Sequence, residues 1–195
     1  MSRANTESEA RERILETARD LFYRNGYRAT GINEIIRKSA VAKATFYAHF
    51  PSKEDLAVAY VQAQNELDAE TLAEHLGPLS GPHAKLMGLF AYIETWSRER
   101  QYRGCSYLNI ASEVPDPSHP VRRETKSHYT SVRTFLGRLI SELKQERGAA
   151  WKGRDADQLA DALMLLVAGA LAMGQIYHDP APFRQAAEAA RKLLK

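Results

Sequence analysis

Two stretches of this chain carry side chains whose types and spacing suit chemistry. The first is VAKATFYAHFPSK, Val41 to Lys53. Here small residues, Ala42, Ala44 and Ala48, alternate with Lys43, Thr45, Tyr47 and His49. A cation, a hydroxyl, a phenol and an imidazole on a surface kept low by alanines form a recognition set. Such side chains reach phosphates and base edges once a helix lies close to a duplex. Phe46 and Phe50, four apart, are the apolar pair that would anchor the same helix.

The second stretch is GCSYLNIASEVPDPSHP, Gly104 to Pro120. Glu113, Asp116 and His119 could cluster in its proline-rich part, but their spacing is not that of a tight ligand set, so no metal is expected. His119 and His128 are nine residues apart, which on a helix puts them on opposite faces. Cys105 is the single cysteine, so an intrachain disulfide is excluded and no resolving thiol is available. It reads as a small buried hydrophobe. No Ser/His/Asp arrangement, Gly-rich phosphate loop or paired Glu-x-x-His motif is present. The alternative reading, a helical-bundle enzyme or carrier for a small molecule, therefore lacks a catalytic constellation, and no cofactor is expected.

The elements that must position these residues all carry a helical period, and no segment alternates like a strand. A first helix is predicted over about 8–24, with Ile14, Leu15, Ala18, Leu21 and Phe22 on one face, Thr6 and Glu9 at capping-box spacing, and Gly26 as its stop. Thr30 is placed to cap a helix over about 31–38, and a turn at Ser39–Val41 leads to another over about 42–49. Ser52 and Asp55 would cap a long helix to about His75. The GPLSGP run from Gly77 to Pro82 is the clearest break. Helices follow over about 84–101, 104–112, 121–147, 155–176 and 182–194, with a loop at Gly148–Gly153. The expected fold is all-α, with about nine helices. An N-terminal three-helix unit with a helix-turn-helix, residues 1–53, precedes a helical bundle, residues 54–195.

Composition sets outer bounds. Hydrophobic residues at 44% and charged residues at 26% are an ordinary globular balance. Residues 1–53 hold 10 Lys and Arg against 6 Asp and Glu, whereas the rest of the chain holds 17 against 18. The basic excess sits at the end that carries the recognition stretch, as polyanion binding requires. The polar N-terminus has no apolar core of a secretory signal. The longest apolar run, Ala162 to Gly174, has 13 residues, short of the roughly 18 to 20 that span a bilayer. No membrane association is expected, and the lone cysteine fits a cytoplasmic location.

Two short helices joined by a tight turn, the second rich in small, polar and basic residues, form the helix-turn-helix pattern. The stretch from Gly26 to Leu56 resembles the TetR family of regulators. Gly26, Tyr27, Thr30, Ile32, Ile35, Val41, Ala42, Ala44, Thr45, Phe46, Tyr47, His49, Phe50, Ser52, Lys53 and Leu56 stand where that family's signature has matching residues. Gly31, Ile36, Ser39 and Ala40 depart from it, and Ala40 stands where the turn usually has glycine.

The resemblance implies a double-stranded DNA operator read by Lys43, Ala44, Thr45, Tyr47 and His49. Thr30 and Lys53 would hold phosphates at the starts of their helices. It also implies a homodimer through the last two helices. The apolar 155–176 helix fits this, with Ala168, Gly169, Ala172 and Gly174 permitting close approach. A small-molecule effector, of unknown identity, would sit among the middle helices, with Tyr92, Trp96, Tyr107, Asn109, Tyr129, Phe135 and Met164 as candidate lining. The resulting expectation is a repressor released from a palindromic operator when effector binds. A regulator that answers to a protein partner is a further reading.

Overall fold

A computed structural model describes residues 3–195, with side chains from residue 8 onward. The Thr6 half of the expected capping box lies outside the described side chains. Among the described residues there are nine α-helices and no strand. They are α1 (Arg3–Asn25), α2 (Ile32–Ser39), α3 (Lys43–His49), α4 (Lys53–Leu76), α5 (Pro82–Glu99), α6 (Ser106–Glu113), α7 (Pro120–Arg147), α8 (Ala156–Tyr177) and α9 (Ala181–Leu193).

The chain forms two compact units. The first contains the described residues up to Leu67 together with Ser106–Lys126. The second contains Asp68–Cys105 and Ser127–Lys195. This partition does not coincide with a cut at residue 53, because α4 as far as Leu67, α6 and the first turns of α7 join the helix-turn-helix unit.

In the first unit, Ile14, Leu15, Ala18, Leu21 and Phe22 of α1 are buried. Ile35, Phe46, Phe50, Leu56, Tyr60 and Val61 are buried with them, as are Tyr107, Ile110 and Val121. Phe22 meets the rings of Tyr27 and Tyr60 edge-on at 5.5 and 5.6 Å. Gly26 ends α1 at φ +95°, a left-handed value that suits glycine. Ser52 caps α4 by accepting the Asp55 N–H at 3.0 Å.

Thr30 departs from its expected role as a cap. The cap of α2 is Gly31, in extended conformation and with no side-chain bond. Thr30 is fully buried, and its hydroxyl lies within donor reach of two carbonyl oxygens, Gly26 at 2.8 Å and Leu21 at 3.3 Å. The hydroxyl closes the α1–α2 corner from inside.

In the second unit, α8 packs on α9 and both pack on α5. Its core includes Leu86, Leu89, Phe90 and Ile93 of α5, Leu136, Leu139, Ile140 and Leu143 of α7, and Phe183, Ala186 and Ala190 of α9. Gly174 is required here: a Cβ on it would sit 2.3 Å from the Phe183 ring. Helix α5 ends two residues earlier than expected, since Gln101 and Tyr102 both take left-handed backbone, φ 51° and 52°. The predicted Gly148–Gly153 loop contains a 3-10 turn, Gly148–Trp151, whose Trp151 is buried.

The α8 helix extends well beyond its most apolar run. It has 22 residues and is long and apolar enough to cross a membrane by length and composition, although its most apolar core has only 13. In the single chain 39% of its apolar window is covered, and Leu165, Ile176 and Tyr177 stand 73%, 71% and 64% exposed.

Candidate nucleic-acid interface

The turn between α2 and α3 rests on Ala40, which caps α2 in left-handed conformation at φ 53°, ψ 41°. That geometry sends α3 away from α2 after two residues. Phe46 has zero exposure and Phe50 3%, so these two rings fix the rotation of α3 about its axis. At about 100° per residue, Lys43, Tyr47, Ala44 and Ala48 then fall within an arc of about 140°. All four are exposed, Tyr47 at 41%. Thr45 and His49 fall about 60° and 100° beyond Ala48, outside that arc, and are half-buried. Tyr47 and Phe46 pack edge-to-face at 5.3 Å, a contact that steadies the Tyr47 ring while the residue stays exposed. The seven-residue helix thus offers a basic, low-relief outer surface over an apolar inner one.

Lys53, the first residue of α4, sits beside this surface rather than free in solvent. Its ammonium lies 4.5 Å from the centre of the Tyr27 ring and donates to the Arg28 carbonyl oxygen at 3.4 Å. Burial lowers its pKa, and the Glu113 carboxylate works in the opposite sense. Tyr27 is shifted up, first by burial and then by the charges of Glu54 and Glu113. Thr30, expected to hold a phosphate, has its hydroxyl turned inward and cannot present it.

The residues expected to line an effector pocket are divided by the two units. Tyr107 and Asn109 belong to the first, buried and half-buried. Tyr92, Trp96, Tyr129, Phe135 and Met164 belong to the second and are all half-buried. Tyr92 lies against the His75 ring at 5.2 Å, and burial, with Asp68 nearby, pushes its hydroxyl up to about 12. Trp96 is covered by the Arg100 guanidinium at 4.6 Å. The Tyr129 hydroxyl is 3.5 Å from the Cys105 sulfur, and burial raises its pKa strongly. Its neighbour His128 is pushed down to about 4 by burial. A surface hollow of about 500 Å³ is lined by Ser141, Lys144, Gln145, Gly148, Ala149, Lys152 and Ala156, none of them in the expected set.

Sequence reasoning missed Glu113. Its two carboxylate oxygens accept the backbone N–H groups of Tyr27 at 3.0 Å and Arg28 at 2.6 Å. His119 pairs with Glu54 at 2.6 Å, and Asp116 accepts from Ser118. The three groups that could have formed a cluster instead point to three separate partners. Among the described residues, no group of three His, Cys, Asp or Glu is placed to hold a metal ion.

Residues 14–60 match the family described as bacterial regulatory proteins, tetR family, and residues 82–190 match the tetracyclin repressor-like C-terminal domain. An uncharacterized HTH-type transcriptional regulator of Bacillus subtilis, YxaF, is 26% identical over 182 residues, covering 92% of each chain. The HTH-type transcriptional repressor NemR of Escherichia coli is 25% identical over 185 residues, 93% of this chain and 92% of its own. The crystal structure of SCO4454, a TetR-family transcriptional regulator from Streptomyces coelicolor, superposes with a TM-score of 0.85 at 28% identity. That superposition covers 96% of this chain and 95% of the other. With both family regions matched, the second across more than half of its length, the chain belongs to the TetR family and is a DNA-binding transcriptional regulator.

Proposed function

We propose that the protein is a homodimeric repressor that reads a palindromic operator in the cytoplasm and leaves it when a small-molecule effector binds residues 54–195. The observation that carries the DNA-reading part is the two-sidedness of α3. Phe46 and Phe50 are buried, while Lys43, Ala44 and Tyr47 share the exposed arc. Lys43 and Tyr47 contact base edges or phosphates, Ala44 lets the helix approach, and the half-buried Thr45 and His49 are the remaining candidate contacts, outside the exposed arc. Lys53 offers a phosphate contact beside the Tyr27 ring.

Dimerisation is supported by the uncovered apolar face of α8. Leu165, Ile176 and Tyr177 are exposed, and Gly169 has nothing within 4 Å of where a Cβ would be. An apolar face of that kind, with room for a second helix to come close, fits a symmetric copy of itself. Two small reading heads then act on one palindrome through a high effective concentration.

Repression is the role named for NemR, the E. coli relative. Within the second unit the candidate effector residues are Tyr92, Trp96, Tyr129, Phe135 and Met164. To empty the operator, effector must favour the released form by roughly 3 to 5 kcal/mol. The test is selection of bound duplexes from a random DNA pool by the full chain. A recovered palindrome, bound with a log K that falls steeply with log salt, supports the reading. Recovery of no common sequence, or a flat salt dependence, contradicts it.

A further inference from the structure

The SEVPDPSHP segment, Ser112 to Pro120, stays unexplained by operator reading. It links α6 to α7, and it is folded into the first compact unit although both of its chain ends lead into the second, at Cys105 and at Ser127. Glu113, the last residue of α6, grips the α1–α2 corner through the Tyr27 and Arg28 amides. Two charge-assisted bonds from one carboxylate hold direction as well as distance.

The corner is shaped to receive it. A Cβ on Gly26 would lie 2.8 Å from the Glu113 Oε1, so Gly26 leaves the seat open as well as turning the chain. A second attachment lies six residues on. The Val121 N–H donates to His119 Nδ1 at 3.2 Å, so the neutral ring carries its proton on Nε2, the nitrogen 2.6 Å from the Glu54 carboxylate on α4. Between the two, Pro115 and Pro117 fix φ, and Asp116 closes the turn on the N–H and hydroxyl of Ser118.

We propose that Glu113 is a positioning residue for operator binding: its carboxylate locks the α1–α2 corner to α6, and so fixes the reading head to the segment that connects it with the rest of the chain. It touches no DNA. The lock rests on the reading of α3 as the DNA-contacting helix, and it sets the separation of half-sites that the dimer accepts.

The test uses the full chain and a duplex selected by it, with companion duplexes whose half-sites are one base pair closer or farther. Glu113→Gln keeps the side-chain size but can accept with only one oxygen. The expected result is at least a tenfold loss of affinity for the selected duplex, a smaller loss for the shifted ones, and faster amide exchange at Tyr27 and Arg28. Unchanged affinity and unchanged spacing preference overturn the proposal, whatever happens to stability. If Glu113→Gln folds poorly, a cycle of Gly26→Ala, Glu113→Ala and the double variant decides it. Contact between the new methyl and the carboxylate predicts effects that fall short of additive, and strict additivity overturns the lock. Failure of the unmodified chain to bind any selected duplex would instead refute the DNA reading, while the amide exchange of Tyr27 and Arg28 would still report on the contact.

Discussion

At the turn between α2 and α3 an alanine occupies backbone that favours glycine. Ala40 sits at φ 53°, and an L-residue there pays roughly 1 kcal/mol or more. Glycine relieves that strain but loses more entropy on folding. Ala40→Gly is therefore expected to raise stability by up to about 1 kcal/mol, seen as a rise of a few degrees in a thermal melt. A drop would show that the methyl group is packed.

His128 gives a pH signature. Its folded pKa is about 4, against about 6.5 in an unfolded chain, with burial as the cause. Below pH 6.5 the unfolded state takes up the proton and the folded state does not. Stability from this group is full above pH 6.5 and is lost as pH falls toward 4, by up to about 3 kcal/mol. Denaturant melts of His128→Leu should lack that portion of the slope; an unaltered slope contradicts the assignment. Thr30 shows why a single residue type misleads. A threonine before a helix can cap it or fold back, and only the carbonyls of Gly26 and Leu21 around its hydroxyl decide which.

At the scale of elements, what was legible followed from local periodicity. The i, i+4 pair Phe46 and Phe50 announced the inner face of α3, and with it which side chains face out. Prolines and glycines marked the breaks, to within a few residues at most ends. The membership of α6 in the helix-turn-helix unit was not legible, because the bond from Tyr27 to Glu113 spans 86 residues and leaves no periodic trace. The α5–α6 link was misjudged for a related reason. Left-handed Gln101 and Tyr102 are held by tertiary contacts, the Tyr102 ring lying against His178 and Phe183, and not by residue type. The apolar character of α8 was plain, but which face a single chain leaves bare was not. Leu165→Arg on that bare face is expected to yield single-chain mass in sedimentation velocity and to weaken operator binding about a hundredfold or more. A dimer that persists would move the interface elsewhere.

For the whole molecule, the two units divide the work that a one-component regulator must do. The first holds the exposed arc of α3, and the second holds half-buried aromatic side chains and the exposed apolar residues Leu165, Ile176 and Tyr177. The chain passes between them three times, at Leu67–Asp68, Cys105–Ser106 and Lys126–Ser127, and two of these crossings bound the stretch that carries Glu113 and His119. All of this depends on the outward arc of α3. Its most direct test is fluorescence anisotropy of a selected duplex with the unmodified chain and with Lys43→Ala, Thr45→Ala and Tyr47→Ala combined. Because Lys43 and Tyr47 are exposed and Thr45 is half-buried, the variant should keep its helical circular dichroism. Affinity should fall by two orders of magnitude or more, as loss of several contacts worth roughly 1–3 kcal/mol each requires. Binding as tight as that of the unmodified chain would contradict the account.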